Sequence, residues 1–194
     1  MAAGFTGVDR TAEVMERLDD LAGHCAEPTV AGVLGAMRGR VRGNTEDYYD
    51  VRNSYIDAVL ERGVGLPITL GVVAIEIGRR VGAPIVGIGP PRHFMVRHQA
   101  AQQYGDPFHG TVYDRAALVA AWPGLIGAET SFDDAHLVPM SERQILIRML
   151  NNLRAIFVTR NDVFRLYPLV KMRAAFVELV HELPDWVRWM SHWN

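Results

Sequence analysis

Apolar positions along this chain change their period twice. From residue 8 to about 62 they recur at helical spacing. Val8, Ala12, Met15, Leu18 and Leu21-Ala22 fall on one face. Asp9 or Thr11 stands where such a helix would start. Pro28 suits the first turn of a second helix over 28–38, which Gly32, Gly35 and Gly39 weaken. Gly43-Asn44 marks a turn. Asn53 is then expected to cap a helix with Tyr55, Ile56, Val59 and Leu60 on its apolar face, stopped by Gly63.

The pattern turns mixed over 64–139. The segment opened by Pro67-Ile68-Thr69-Leu70 is apolar nearly all round, through Val72, Val73, Ala74, Ile75 and Ile77. A helix of that kind is normally the buried centre of a domain. Pro84 to Gly89 predicts a short buried strand, His93 to His98 a second, and Tyr104 to Phe108 a third. Short strands joined by tight turns imply an antiparallel sheet. A central helix packed on such a sheet gives an α+β class. From 140 the period is helical again. Ser141 and Gln144 have capping-box spacing before Ile145, Met149, Leu150, Leu153 and Phe157. Asp162 is placed to cap a next helix, which Pro168 should bend or restart. Asp185 is placed to cap a last one bearing Trp186, Trp189 and Trp193. The expected organisation is one domain, 1–194, with N-terminal helices over 1–43, a core over 44–139 and C-terminal helices over 140–194.

Composition narrows the function classes. The 194 residues carry 20 basic and 22 acidic side chains, for a net charge of −2. That balance argues against a nucleic-acid partner held by phosphate contacts. Cys25 is the only cysteine, so neither an intrachain disulfide nor a zinc site of several thiolates is expected. Lys171 is the only lysine. The first residues lack the basic start and apolar run of a secretory signal. The longest apolar stretch, Ile68 to Ile77, is far below the roughly 20 residues that span a bilayer. A soluble cytoplasmic protein without a membrane partner is expected.

The residues suited to chemistry cluster between 69 and 109. His93 and His98 sit five apart on the expected second strand and so on opposite faces. This weakens a metal site built on His93, His98, Asp106 and His109, and no metal is expected. No phosphate-cradling loop or dinucleotide fingerprint is present, and no cofactor is expected. His93 and Asp106 lie on neighbouring strands, where a carboxylate can fix the imidazole's tautomer, as in a nucleophile–base–acid triad. The start of the buried helix is the natural place for a nucleophile. Its only hydroxyl is Thr69, a weak nucleophile whose plain role is helix capping.

Gly-Leu-Pro-Ile-Thr-Leu at 65–70, Pro-Arg-His-Phe-Met-Val-Arg at 91–97 and Gly-Asp-Pro-Phe-His-Gly at 105–110 stand in a telling order. With Asn53-Ser54-Tyr55-Ile56, Val59-Leu60-Glu61-Arg62 and Arg148-Met149-Leu150-Asn151-Asn152-Leu153-Arg154, the chain resembles the SirB-type branch of the transglutaminase-like superfamily over about residues 40 to 160. The resemblance implies a papain-like core: a central buried helix on a small antiparallel sheet, with helical N- and C-terminal segments. In active relatives a cysteine at the helix start, a strand histidine and an aspartate form the triad. His93 matches the histidine and Asp106 the aspartate. The nucleophile slot falls at or near Thr69, in a branch that generally has Ser or Thr there. Three departures stand out. Arg92 replaces the usual glycine before the histidine, Gly63 an arginine, and Thr111 a glycine.

The resemblance therefore implies a degenerate site. The expectation is a non-catalytic protein or peptide-binding module, or a regulatory one, that uses the former cleft, with Asn53, Arg92 and His109 as further binding residues. Two alternatives stay open. One is an amide-bond hydrolase or acyltransferase with a Thr69–His93–Asp106 triad. The other is an assembly subunit, homo-oligomeric through the tryptophan-bearing C-terminal helices.

Overall fold

A computed structural model describes residues 3–182. The expected tryptophan-bearing helix after Asp185 lies outside the described residues. The chain forms two compact units, Arg10–Glu142 and Met1–Asp9 with Arg143–Asn194. Among the described residues no helix is long and apolar enough to cross a membrane.

The larger unit is built round α5 (Pro67–Val81). Proline fits its first position, because that N–H has no helical partner in any case. Gly82, with φ near 72°, ends it in the left-handed region where glycine pays no steric penalty. Leu70, Val73, Ala74 and Ile77 are wholly buried, as an all-round apolar helix requires. Helices α2 (Thr11–Gly23), α3 (Val30–Met37) and α4 (Ile56–Arg62) pack against α5, and so does the sheet. That sheet is antiparallel in the order β3 (Ile85–Ile88), β4 (Met95–His98), β5 (Gln103–Asp106) and β6 (Thr111–Asp114). A two-residue parallel pair, β1 (Arg42–Gly43) with β2 (Val64–Gly65), lies before α5. After β6, Asp114 caps α6 (Arg115–Ile126) by accepting the Ala117 N–H. Leu118, Trp122 and Ile126 of α6 share one core with Ile88, Met95, Tyr104 and Leu137. The α+β class is as expected: a buried helix on a small antiparallel sheet.

Several local expectations need correction. Tyr55, not Asn53, is the N-cap of α4, because the Asn53 side chain is spent on other buried partners. Thr29 opens α3 by accepting the Gly32 N–H, and Pro28 stands before the cap. Strand β4 begins at Met95, so His93 precedes it and the alternation rule does not govern its direction.

The smaller unit contains α1 (Ala3–Thr6), most of α7 (Glu142–Thr159) and α8 (Val163–Arg173). Phe5 meets Phe157 edge to face at 5.5 Å. Asp162 caps α8 by accepting the Arg165 N–H, and α8 runs on through Pro168.

Candidate functional site

Sheet register assembles the site. Val96 faces Gly105 across β4 and β5. Continuing that antiparallel register back beyond Met95 lays His93 alongside Asp106–Phe108. Two glycines allow the close packing that holds these strands. A Cβ on Gly105 would lie 2.7 Å from Leu34 Cδ1 and Val30 Cγ1, so α3 sits hard against β5. A Cβ on Gly71 would overlap the Phe94 ring, so the residue after His93 is seated directly on α5.

Asp106 is the hub and is fully buried. Its Oδ1 accepts the backbone N–H groups of Phe108 at 2.9 Å and His109 at 3.2 Å, an Asx turn that shapes the β5–β6 connection. Gly110, with φ near 69°, completes that turn. Oδ2 is 2.8 Å from His93 Nε2 and 2.7 Å from His109 Nδ1. An ionised carboxylate can only accept, so both of those ring nitrogens carry the proton. Burial pushes the Asp106 carboxyl up. The hydrogen bonds and charges of His93 and His109 outweigh that, and it rests below the usual carboxylate range. His93 is 8% exposed, whereas half of the His109 side chain is open to solvent. The Phe108 ring stands edge-on to both imidazoles.

Thr69 is occupied elsewhere. Its fully buried hydroxyl donates toward the carbonyl of Asn53 at 2.8 Å or that of Leu66 at 3.1 Å, and accepts the Leu66 N–H at 2.9 Å. It ties the start of α5 to the segment before α4. Thr69→Val keeps the shape but removes all of the hydroxyl's bonds, leaving the Leu66 N–H only a long contact of 3.4 Å to the Asn53 carbonyl. We expect it to lower unfolding free energy by about 2 kcal/mol in urea denaturation, with Thr69→Ser close to wild type.

The remaining expected site residues are spread out. Asn53 is fully buried, its amide N–H groups directed at the Asp47 and Tyr48 carbonyls and its oxygen at Asn44 and Arg62. Arg92 has φ near 60°, which explains why glycine suits that position. Its side chain is 81% exposed and 3.3 Å from Glu129. His98 turns away to accept the Ala100 and Ala101 N–H groups. Cys25 is only partly buried and donates to the Glu27 carbonyl.

A cavity of about 180 Å³ adjoins His109, and no motif in the chain announces it. Leu34, Met37 and Val41 line it with Phe108, and Arg38 and Arg42 contribute to its wall. Gly43 makes the closeness possible, since its backbone lies against the Phe108 ring. The nearest signal was the basic run Arg38-Gly39-Arg40-Val41-Arg42, which reads as solvated surface when taken alone.

An α+β domain with a buried central helix and a His–Asp pair, the histidine just ahead of β4 and the aspartate at the end of β5, fits a transglutaminase-like core. The chain belongs to the transglutaminase-like superfamily, whose profile matches residues 10–151. It is 39% identical over 125 residues to a UPF0162 protein of Xylella fastidiosa, covering 61% of this chain and 44% of that protein. A UPF0162 protein of Vibrio cholerae is 31% identical over 116 residues, covering 58% and 43%. Human F-box only protein 21 is 36% identical over 58 residues, 30% of this chain and 9% of its own length. The chain thus spans less than half the length of these relatives. No solved structure matches.

Proposed function

We propose that this is a SirB-type transglutaminase-like module of the cytoplasm that binds an acidic protein or peptide segment without cleaving it. The carrying observation is the state of Thr69: its buried hydroxyl is hydrogen-bonded to Leu66 and Asn53, which suits a capping group and not an attacking one. The His93–Asp106 pair then serves as a rigid wall of the cleft, with half-exposed His109 as its accessible polar group. The adjoining cavity supports the choice of ligand. Its apolar floor suits an aliphatic stem, and the guanidinium groups of Arg38 and Arg42 suit a carboxylate. Among the described residues neither arginine is ion-paired, while Arg10, Arg52, Arg79, Arg80, Arg115 and Arg143 all are.

Two measurements test this. An electrophilic acyl probe should label wild type no more than Thr69→Ala; labelling that vanishes in the variant would establish a nucleophile and overturn the proposal. A fluorescent Glu-rich peptide library should yield binders that the Arg38→Glu, Arg42→Glu double variant weakens more than tenfold. Binding indifferent to that reversal would remove the acidic ligand.

A further inference from the structure

We infer that His93, Asp106 and His109 form a binding site for one divalent transition-metal ion. The binding proposal above neither requires nor assigns it. The sequence spacing argued against a metal because it placed His93 and His98 on one strand with opposed faces. The fold brings a different set together. His93 lies ahead of β4, His98 is turned away, and His109 folds back through the Asp106 turn. One atom from each of His93, Asp106 and His109 lies within 4.8 Å of the others.

The donors are the right kind. Two imidazole nitrogens and one carboxylate oxygen suit zinc or ferrous iron, and this 2-His-1-carboxylate composition leaves coordination positions open. Magnesium and calcium, which favour all-oxygen shells, fit poorly. The size is nearly right. Zinc–nitrogen bonds of about 2.0–2.1 Å place tetrahedral donors about 3.3 Å apart. The two nitrogen–oxygen separations are 2.8 and 2.7 Å. Each must open by roughly half an ångström to reach that spacing. Half-exposed His109 has room to retreat, and its exposed side is where a water or a ligand carboxylate would complete the shell.

Supporting contacts are also in place. The two backbone N–H groups on Oδ1 fix the orientation of the carboxylate, the role outer-shell partners play at metal sites. A dication would also compensate the buried Asp106 charge. Ligation needs each imidazole neutral with its N–H on the other ring nitrogen, which frees His93 Nε2 and His109 Nδ1 for the ion.

Calorimetric titration of the tag-free protein with zinc chloride tests this. Wild type should take up one equivalent, and magnesium chloride should give no heat of binding. His109→Ala, which alters a half-exposed side chain and should leave the fold intact by circular dichroism, should weaken zinc binding by more than about 100-fold. His98→Ala and His24→Ala should bind as wild type does. Should His109→Ala perturb the fold, His109→Gln provides a second arm with the same expectation. No stoichiometric uptake, or equal affinity in His109→Ala, overturns the site. Peptide binding by chelator-treated protein is scored separately, so failure here is distinguishable from failure of the binding proposal.

Discussion

Replacing Asp106 with alanine is expected to lower the unfolding free energy by about 3–5 kcal/mol, the range for removing one member of a buried charged network. Four donors converge on this carboxylate: the Phe108 and His109 amides on one oxygen, the His93 and His109 rings on the other. Truncation strands the buried His93 ring N–H and also dissolves the Asx turn that sets the β5–β6 connection. Asp106→Asn keeps the shape but has one acceptor oxygen, so it can serve either the backbone pair or the ring pair. Its cost should be about 1–3 kcal/mol. Acid dependence gives a second signature. The carboxyl is held below its usual range in the folded protein. Its contribution is therefore fully present above the ordinary carboxyl value and is lost as pH falls through the lowered one. The gap between wild type and Asp106→Asn in urea titrations should narrow from neutrality into strong acid. A constant gap would mean that the ionised carboxylate contributes nothing through this route.

The sequence made parts of this architecture legible because they rest on local rules. Helix α5 is announced by a proline, an all-round apolar run and a closing glycine, and strands β3 to β5 by short apolar runs between turns. Strand β6 and helix α6 are not announced. Thr111–Asp114 is half polar and buries little surface, and Ala-rich α6, with Pro123 inside it, shows no clear apolar face. The site follows the same division. His93 and Asp106 were chosen because neighbouring strands could join them, and their nitrogen–oxygen distance is 2.8 Å. His93 and His98 do part ways, but strand alternation is not the cause, because His93 lies two residues ahead of β4. The cavity wall of Arg38 and Arg42 depends on Gly43 admitting the Phe108 ring, a long-range contact that no local period encodes.

Phe94 should prove as costly to truncate as Asp106. Its ring is 1% exposed and fills the space that Gly71 of α5 leaves by having no side chain. Phe94→Ala removes the ring and opens a cavity between the central helix and the start of β4, at about 3–5 kcal/mol. Because His93 is the preceding residue, this loss should also loosen the imidazole and weaken binding at the cleft. The two positions should be strongly coupled. In wild type, Gly71→Ala pushes a methyl group into the ring and should destabilise by about 1–3 kcal/mol. In the Phe94→Ala background that clash is gone. There the same substitution should become neutral or stabilising, by up to about 1 kcal/mol from helix propensity. A double-mutant cycle by chemical denaturation reads the difference directly. Additive effects would show that the ring does not rest on Gly71, and that something other than this contact seats His93 beside Asp106.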